Sequence, residues 1–296
     1  MAQKILLTGH RGYIGACLYQ HFSEGPAQVE IVAERLEELR PKSREADLII
    51  HCAAKRQSPN PVPPSWYQSN ELGTQCLLES MCQPTPILCL SSRMVYAAIG
   101  PESGWTENDP IAPQTAYGQS KVATEQRIVA SGVPYVILRL SGVFGLGLGQ
   151  WGQTFPEQVL RQLLKGETPV FSGSEHIRDY LYVWDLVKQI DYLIQHREVW
   201  PGIFNLSGQR RPVKPLLDSL LQHFSQTFGE NPQLKPEMES PSRQAPPRLD
   251  IQKIQSLPGL PEWTNDTHVI QTLVQDARVR FGSSQPPACQ GTKPLC

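Results

Sequence analysis

Tyr117 and Lys121 stand four residues apart in the stretch Gln114-Thr115-Ala116-Tyr117-Gly118-Gln119-Ser120-Lys121. On a helix, positions i and i+4 share one face, so a phenol and an ammonium would address one pocket together. A free phenol titrates near pH ~10 and is a poor base at neutral pH. A cation fixed beside a phenol favours the phenolate. The pairing therefore suggests proton transfer. The plain alternative is a buried aromatic and a solvated lysine on an ordinary helix.

A second chemistry-bearing stretch lies at the N-terminal end. Lys4-Ile5-Leu6-Leu7-Thr8 is a short apolar run of the kind that forms a buried parallel strand. It enters Gly9-His10-Arg11-Gly12-Tyr13-Ile14-Gly15 and then a helical pattern through about Phe22. Strand, glycine-rich turn and helix in that order let backbone N–H groups approach a dinucleotide diphosphate at the helix N-terminus. The spacing is Gly-x-x-Gly-x-x-Gly, and a generic strand-to-helix turn is the alternative. The next strand, Val29 to Ala33, is followed by Glu34 and Arg35. A carboxylate there suits the ribose hydroxyls of NAD and an arginine suits the 2′-phosphate of NADP, so the cofactor reads as NAD or NADP.

The elements that must position these groups follow in order. Ala46 to Ala54 is a strong strand that arrives soon after the second, with little room for a further strand and helix between them. His51 lies inside that apolar run and reads as a hydrogen-bonded structural histidine, with ligand or base as the alternative. Pro59 to Pro64 is a proline-rich loop, and Asn70 to Cys82 has helical spacing. Pro86 to Leu90 is a strand running into Ser91-Ser92-Arg93-Met94-Val95-Tyr96. Ligands of open α/β sheets sit at carboxyl ends of strands, so these hydroxyls are site candidates, or else caps for the next segment. A strand over 133–140 ends in Arg139-Leu140-Ser141-Gly142, and a strand over 202–206 follows. Helices are expected at 155–165, 185–196, 216–228 and 267–281.

Alternating strands and helices predict an α/β Rossmann-type doubly wound parallel sheet with a smaller, mostly C-terminal substrate-binding lobe. The sheet domain is expected over 1–145 plus about 175–208. The lobe is expected over about 146–174 and 209–281, and a disordered tail over 282–296. A net charge of −1 argues against broad nucleic-acid or membrane binding, and no apolar run is long enough to span a bilayer. The N-terminal run is broken by Gly9 too early for a signal peptide, so a cytoplasmic location is expected. Cys17, Cys52, Cys76, Cys82 and Cys89 sit among apolar residues without a Cys-x-x-Cys pair and read as small buried hydrophobes in a reducing compartment. No metal site is expected. Cys289 and Cys296 fall in the tail.

Taken together and in order, the motifs resemble those of the extended short-chain dehydrogenase/reductases, in the NAD-dependent epimerase/dehydratase group that modifies nucleotide sugars. They are Thr8-Gly9-x-x-Gly12-x-x-Gly15, Asp47 to Ala54, Asn70-x-x-Gly73-Thr74 and Ser91-Ser92-x-x-Val95-Tyr96. Tyr117-Gly118-x-x-Lys121, Leu138-Arg139, Arg178-Asp179-Tyr180-x-x-Val183-x-Asp185 and Leu249-Asp250-x-x-Lys253-Ile254 complete the set. The resemblance implies Tyr117 as acid/base, Lys121 as its electrostatic partner and nicotinamide-ribose contact, and Ser92 as hydrogen-bond donor to the reacting oxygen. It implies cofactor contacts from Gly9, Arg11, Gly12, Tyr13, Ile14, Gly15, Ala53, Ala54, Lys55 and Asn70, besides Glu34 or Arg35. Arg178 matches the arginine that grips the substrate diphosphate, and Arg243 the second.

The departures narrow the chemistry. The family's 4,6-dehydratases carry Asp-Glu after the hydroxyl, where this chain has Arg93-Met94. GDP-fucose synthases share the Gly-His-Arg-Gly turn but place a Cys where Arg93 stands. Gly142 replaces the Asn of the family's Arg-Pro-x-Asn stretch. The resemblance thus implies an NAD(P)-dependent nucleotide-sugar 4-epimerase or 4-keto reductase, with a nucleotide sugar as partner and a homodimer as a possible assembly. The other readings are a non-catalytic NAD(P)-binding sensor or assembly protein and a reductase of a small non-nucleotide carbonyl compound. Retention of both Tyr117 and Lys121 favours an enzyme.

Overall fold

The computed structural model describes residues 3–25, 27–32, 34–56, 65–147, 152, 154–171, 177–232, 235–236 and 247–281. Arg243, Ala33, the proline-rich loop 59–64 and the tail 282–296, with Cys289 and Cys296, lie outside the described residues. The central strands are β1 (Lys4–Thr8), β2 (Gln28–Ile31), β3 (Leu48–His51), β4 (Ile87–Ser92), β5 (Tyr135–Leu140) and β6 (Gly202–Leu206). The helices are α1 (Tyr13–Glu24), α2 (Gln68–Ser80), α3 (Ala116–Ala130), α4 (Phe155–Leu164), α5 (Val183–Gln195), α6 (Val213–Phe228), α7 (Gln252–Gln255) and α8 (Asp266–Phe281).

The six strands form one parallel sheet in the order β6-β5-β4-β3-β1-β2. Such a sheet is buried on both faces and needs continuous apolar strands. Leu6, Leu7, Ile49, Ile50, Ile87, Leu88, Ile137 and Leu138 are accordingly fully buried. Each contributes roughly 1.5–3 kcal/mol of apolar burial. Helix α2 packs on α3, and α1 on α5, giving two helical layers. Between β2 and β3 the described residues form a 3₁₀ turn, Leu36–Glu38, and an isolated bridge from Arg44 to Met81, in keeping with the short connection. The order reverses at β1, whose neighbours are β2 and β3, so the carboxyl ends of β1 and β3 flank a crevice suited to ligands.

The chain divides into two compact units: 1–143, 179–209 and 243–263 in the first, and 144–178, 210–242 and 264–296 in the second. Residues 247–263 were expected in the lobe but pack with the sheet unit. Trp105 N–H donates to Arg248 O and Asp250 N–H donates to Trp105 O, at 3.0 and 2.8 Å. Lys253 Nζ donates to Ile203 O at 2.7 Å, and Trp263 Nε1 to Ser207 O at 2.9 Å. Their proline-rich composition concealed these long-range bonds. The second unit centres on α6 against α8, with α4 against α6, burying Leu220, Phe224, Ile270 and Leu273. Gly229 closes α6 in the left-handed region at φ 73°, which glycine adopts without strain.

Cys17 and Cys89 are buried, Cys52 and Cys76 half-buried. Cys82 corrects the expectation: it is exposed just past α2, where its Sγ donates to Lys42 O at 3.4 Å. Among the described residues no helix is long and apolar enough to cross a membrane.

Candidate cofactor cleft and proton-transfer site

The glycine turn is built by three different constraints. Gly9 has φ +74°, and a Cβ there would meet Ala53 N at 2.6 Å, so β1 can turn only by running against the backbone that leaves β3. A Cβ on Gly15 would lie 2.2 Å from Gly9 O. Gly12 differs. It caps α1 at φ −82°, and a Cβ there would meet a single protein atom within 4 Å among the described residues, Gly9 O at 3.2 Å. Gly9 and Gly15 are thus demanded by the fold, whereas Gly12 leaves open space at the first turn of α1. That turn has no side-chain cap and no acidic residue. The N–H groups at the start of a helix and the positive end of its dipole suit a phosphate. The residues present therefore fit a dinucleotide diphosphate.

Eight of the expected cofactor residues line one cleft of about 250 Å³: Gly9, Arg11, Glu34, Arg35, Ala53, Ala54, Lys55 and Asn70. Gly12, Tyr13, Ile14 and Gly15 continue from its edge into α1. His10 and Glu37, not singled out in the sequence, line it too. Burial, and then the Arg11 guanidinium, push the His10 imidazole below its ordinary range. Glu34 receives the Arg44 guanidinium, which also bonds Glu30 at 3.0 Å. Arg35 is exposed at the cleft. Lys55 Nζ lies 4.7 Å over the Trp66 ring.

Asn70 spends its amide within the protein. Its Oδ1 accepts from Lys55 N at 2.7 Å, and its Nδ2 donates to Lys55 O at 3.2 Å and to Ser120 Oγ at 3.1 Å. It therefore shapes the cleft wall by clamping Lys55 and joins that wall to α3.

Helix α3 starts at Thr115, whose Oγ1 accepts from Gly118 N at 3.0 Å. A Cβ on Gly118 would stand 2.2 Å from Met94 O, so glycine lets this turn press onto the chain beyond β4. One turn later, buried Lys121 donates from Nζ to Leu90 O at 2.7 Å. Leu90 and Met94 bracket Ser92, so α3 grips the strand end on both sides of the hydroxyl. Lys121 Nζ lies 5.9 Å from the centre of the Tyr117 ring, which is half-buried and 5.9 Å from the Tyr67 ring. Ser92 Oγ accepts from Met94 N at 3.2 Å. It caps the following turn and still has its own O–H to donate. The cap and the site reading are thus compatible.

Two buried guanidinium groups join Lys121 around this strand end. Arg93 donates from Nη1 to Asp179 Oδ1 at 2.7 Å and to Pro247 O at 3.2 Å. A Cβ on Gly142 would meet Tyr180 Cδ1 at 3.2 Å and Arg93 Nη2 at 3.4 Å, so the guanidinium borders the space a side chain at 142 would enter. Arg139, 2% exposed, holds Glu125 Oε2 at 2.8 Å and Tyr96 Oη at 2.8 Å. Ser91 also donates to Glu125, and Tyr96 Oη donates to Asn205 Oδ1 at 2.9 Å. This lattice fixes α3 to β4, β5 and β6. Arg178 belongs to the second unit, where it pairs with Arg211 across a two-stranded ladder and donates from Nη1 to Ile177 O at 3.1 Å.

His51 is hydrogen-bonded on both nitrogens, to Thr8 Oγ1 at 2.8 Å and Thr74 Oγ1 at 3.0 Å. Burial, then the charge of Lys121, push its imidazole down to about 3, so it is neutral. Asp179, Thr8, Thr74 and Ser120 carry positioning bonds that the sequence did not assign. The first three lie inside quoted motifs; Ser120 had no signal beyond adjacency to Lys121.

The family model for the NAD dependent epimerase/dehydratase family matches residues 5–207. A Methanocaldococcus jannaschii protein with a provisional assignment as a UDP-glucose 4-epimerase is 27% identical over 296 aligned residues, covering 87% of this chain and 93% of that one. Among solved structures, RMD from Pseudomonas aeruginosa complexed with NADPH superposes with a TM-score of 0.78 at 21% identity, covering 95% of this chain and 99% of that chain. UDP-glucuronic acid 4-epimerase from Bacillus cereus in complex with NAD gives 0.74 at 18% identity, covering 92% and 97%. With its glycine turn, its sheet and its Tyr-x-x-x-Lys helix all inside the matched span, the chain belongs to the NAD dependent epimerase/dehydratase family.

Proposed function

We propose that this protein is an NAD(P)-dependent nucleotide-sugar 4-epimerase or 4-keto reductase. The observation that carries this reading is the grip of α3 on the end of β4. Lys121 bonds Leu90 O and Gly118 abuts Met94 O, so the helix that carries Tyr117 and Lys121 lies against the chain on either side of Ser92, which supports the reading. Asn70 links the same helix to Lys55 in the cleft wall. The glycine turn and Ala53, Ala54 and Lys55 would hold a nicotinamide dinucleotide, which supplies or accepts a hydride when bound.

The chain's own groups handle the proton. Ser92 donates a hydrogen bond to the sugar oxygen that reacts. In the epimerase, Tyr117 takes the sugar hydroxyl proton and returns it after the sugar has turned. In the reductase, Tyr117 gives its proton once, to the oxygen of the 4-keto group. Arg178 and Arg243 would bind the substrate diphosphate as charge-assisted donors. Arg93, charge-matched by Asp179, occupies the position where a 4,6-dehydratase carries an acid, which supports epimerisation or reduction over elimination.

Mass spectrometry of the small molecules released on denaturing the purified protein tests the reading. Co-purified NAD supports the epimerase. An empty protein that oxidises NADPH with a 4-keto nucleotide sugar supports the reductase. A protein that neither retains nor binds NAD(H) or NADP(H) refutes both.

A further inference from the structure

His51 is buried on β3, and its two hydrogen bonds have fixed directions. Thr74 Oγ1 has a single proton and donates it to Asn70 O at 2.7 Å. It can therefore only accept from His51, which must carry its proton on Nε2. A neutral imidazole protonated there presents a bare Nδ1. Nδ1 accepts the proton of Thr8 Oγ1, and Thr8 Oγ1 accepts in turn from Ala53 N at 3.2 Å. An imidazolium would donate on both sides and leave the Thr8 proton without its acceptor.

The chain of donors thus runs unbroken through the sheet unit. Ala53 N–H bonds Thr8, Thr8 bonds His51, His51 bonds Thr74, and Thr74 bonds the backbone of Asn70. The Asn70 amide then holds both the backbone N–H and the carbonyl of Lys55, and also Ser120, and Ser120 Oγ donates to Tyr117 O at 2.8 Å. One end of this relay is the cleft wall at Ala53 and Lys55. The other is the backbone of the residue expected to carry the proton.

We propose that His51 is a positioning residue, locked as the neutral Nε2–H tautomer, that couples the cofactor-cleft wall to the helix bearing Tyr117. The coupling rests on the dinucleotide reading of the cleft only for its effect on binding. The tautomer and the two arms stand without it. One arm, through Nδ1, holds Ala53. The other, through Nε2, holds Asn70 and with it Lys55 and α3. A single buried imidazole satisfies both because its nitrogens are of opposite character.

Nitrogen NMR of ¹⁵N-histidine-labelled protein reads the tautomer directly. His51 is expected to show a protonated Nε2 and a bare Nδ1, unchanged from pH 5 to 9. A proton on Nδ1, or titration within that range, overturns the proposal. The arms separate in two substitutions, because an asparagine amide reaches the place of Nδ1 and a glutamine amide that of Nε2. In His51→Asn the Lys55 amide should exchange with solvent about three- to tenfold faster, while Ala53 is unchanged, the factor expected for one lost neutral hydrogen bond. In His51→Gln the Ala53 amide should speed up and Lys55 should not. NADH and NADPH affinity should fall about three- to tenfold in both.

Equal acceleration of both amides in both variants means a core histidine without separable arms, and refutes the coupling. If wild type binds neither nucleotide, the dinucleotide reading fails while the tautomer and exchange results still decide the relay. Should a variant unfold, Thr74→Ser must leave both amides as in wild type and Thr74→Val must release Lys55 alone; any other pattern refutes the relay.

Discussion

Replacing Gly12 and Gly15 by alanine separates a glycine kept for the fold from one kept for a ligand. At position 15 the new carbon would lie 2.2 Å from Gly9 O, far inside contact distance, and the loop must move. Overpacking of that kind costs about 1–3 kcal/mol or more. For a unit of this size each kcal/mol lowers the melting temperature by roughly 2–4 °C. At position 12 the backbone has φ −82°, which alanine adopts freely, and among the described residues the only contact is Gly9 O at 3.2 Å. A shift of a few tenths of an ångström relieves it, against about 0.4–1 kcal/mol gained from a stiffer unfolded chain. The fold should therefore tolerate Gly12→Ala.

A bound diphosphate should not tolerate it, because the methyl group would stand where the phosphate meets the N–H groups of α1. Losing one charge-assisted hydrogen bond costs about 1.5–3 kcal/mol, or roughly 10- to 150-fold in Kd. Thermal melting and fluorescence titration with NADH and NADPH, at one fixed ionic strength, read the two effects apart. Gly15→Ala should melt early. Gly12→Ala should melt near wild type and bind poorly. Wild-type affinity in a folded Gly12→Ala protein would falsify the phosphate assignment, as would a melting loss equal to that of Gly15→Ala.

Two further outcomes follow from buried charge. Arg139→Ala strands Glu125, 3% exposed, in the interior and should cost about 3–5 kcal/mol in denaturant unfolding. The double replacement Arg139→Met with Glu125→Leu should recover much of that, and no recovery would show that the pair is not the source. In the second unit, burial raises the Glu157 carboxyl to about 7, against the hydrogen bonds from Thr154 Oγ1 and Gly145 N, both at 2.5 Å. A carboxyl raised on folding stabilises the native state fully below the ordinary Glu range and loses that contribution as pH rises through about 7. Stability should therefore drop by about 3 kcal/mol between pH 4 and 8 on this account, and Glu157→Gln should flatten the profile.

Much of the sheet unit was legible because its signals are local. An apolar run before a glycine, a threonine before a helical turn and a Tyr-x-x-x-Lys spacing each fix their own neighbourhood. What escaped depends on partners far along the chain. Arg93 reads as a departure from the family's pattern; only the fold brings Asp179 to it and neutralises it. Asn70 reads as a cofactor contact, yet its amide is consumed by Lys55 and Ser120. His51 reads as structural, but its direction of donation depends on Thr74, which in turn depends on Asn70. Residues 247–263 look like lobe by composition, and a few backbone bonds to Trp105 assign them to the sheet. Cys82 shows the limit of apolar neighbours in sequence as a guide to burial, since a helix end turns it outward.

Tyr117 is expected to carry the proton in a hydride-transfer reaction on a nucleotide sugar. Tyr117→Phe keeps the ring and its packing near Tyr67 while removing the exchangeable proton. The decisive measurement is turnover of UDP-, GDP- and dTDP-hexoses and their 4-keto forms by wild type and Tyr117→Phe over a pH series, with NAD(H) and NADP(H) affinity measured alongside. A positioned acid/base is worth about 10²–10⁴-fold in rate. Wild type should turn over at least one of these sugars, and the variant should lose at least that factor while binding the dinucleotide as before. Equal rates for both proteins at every pH would contradict the claim, as would a wild type that binds a dinucleotide and turns over none of these sugars.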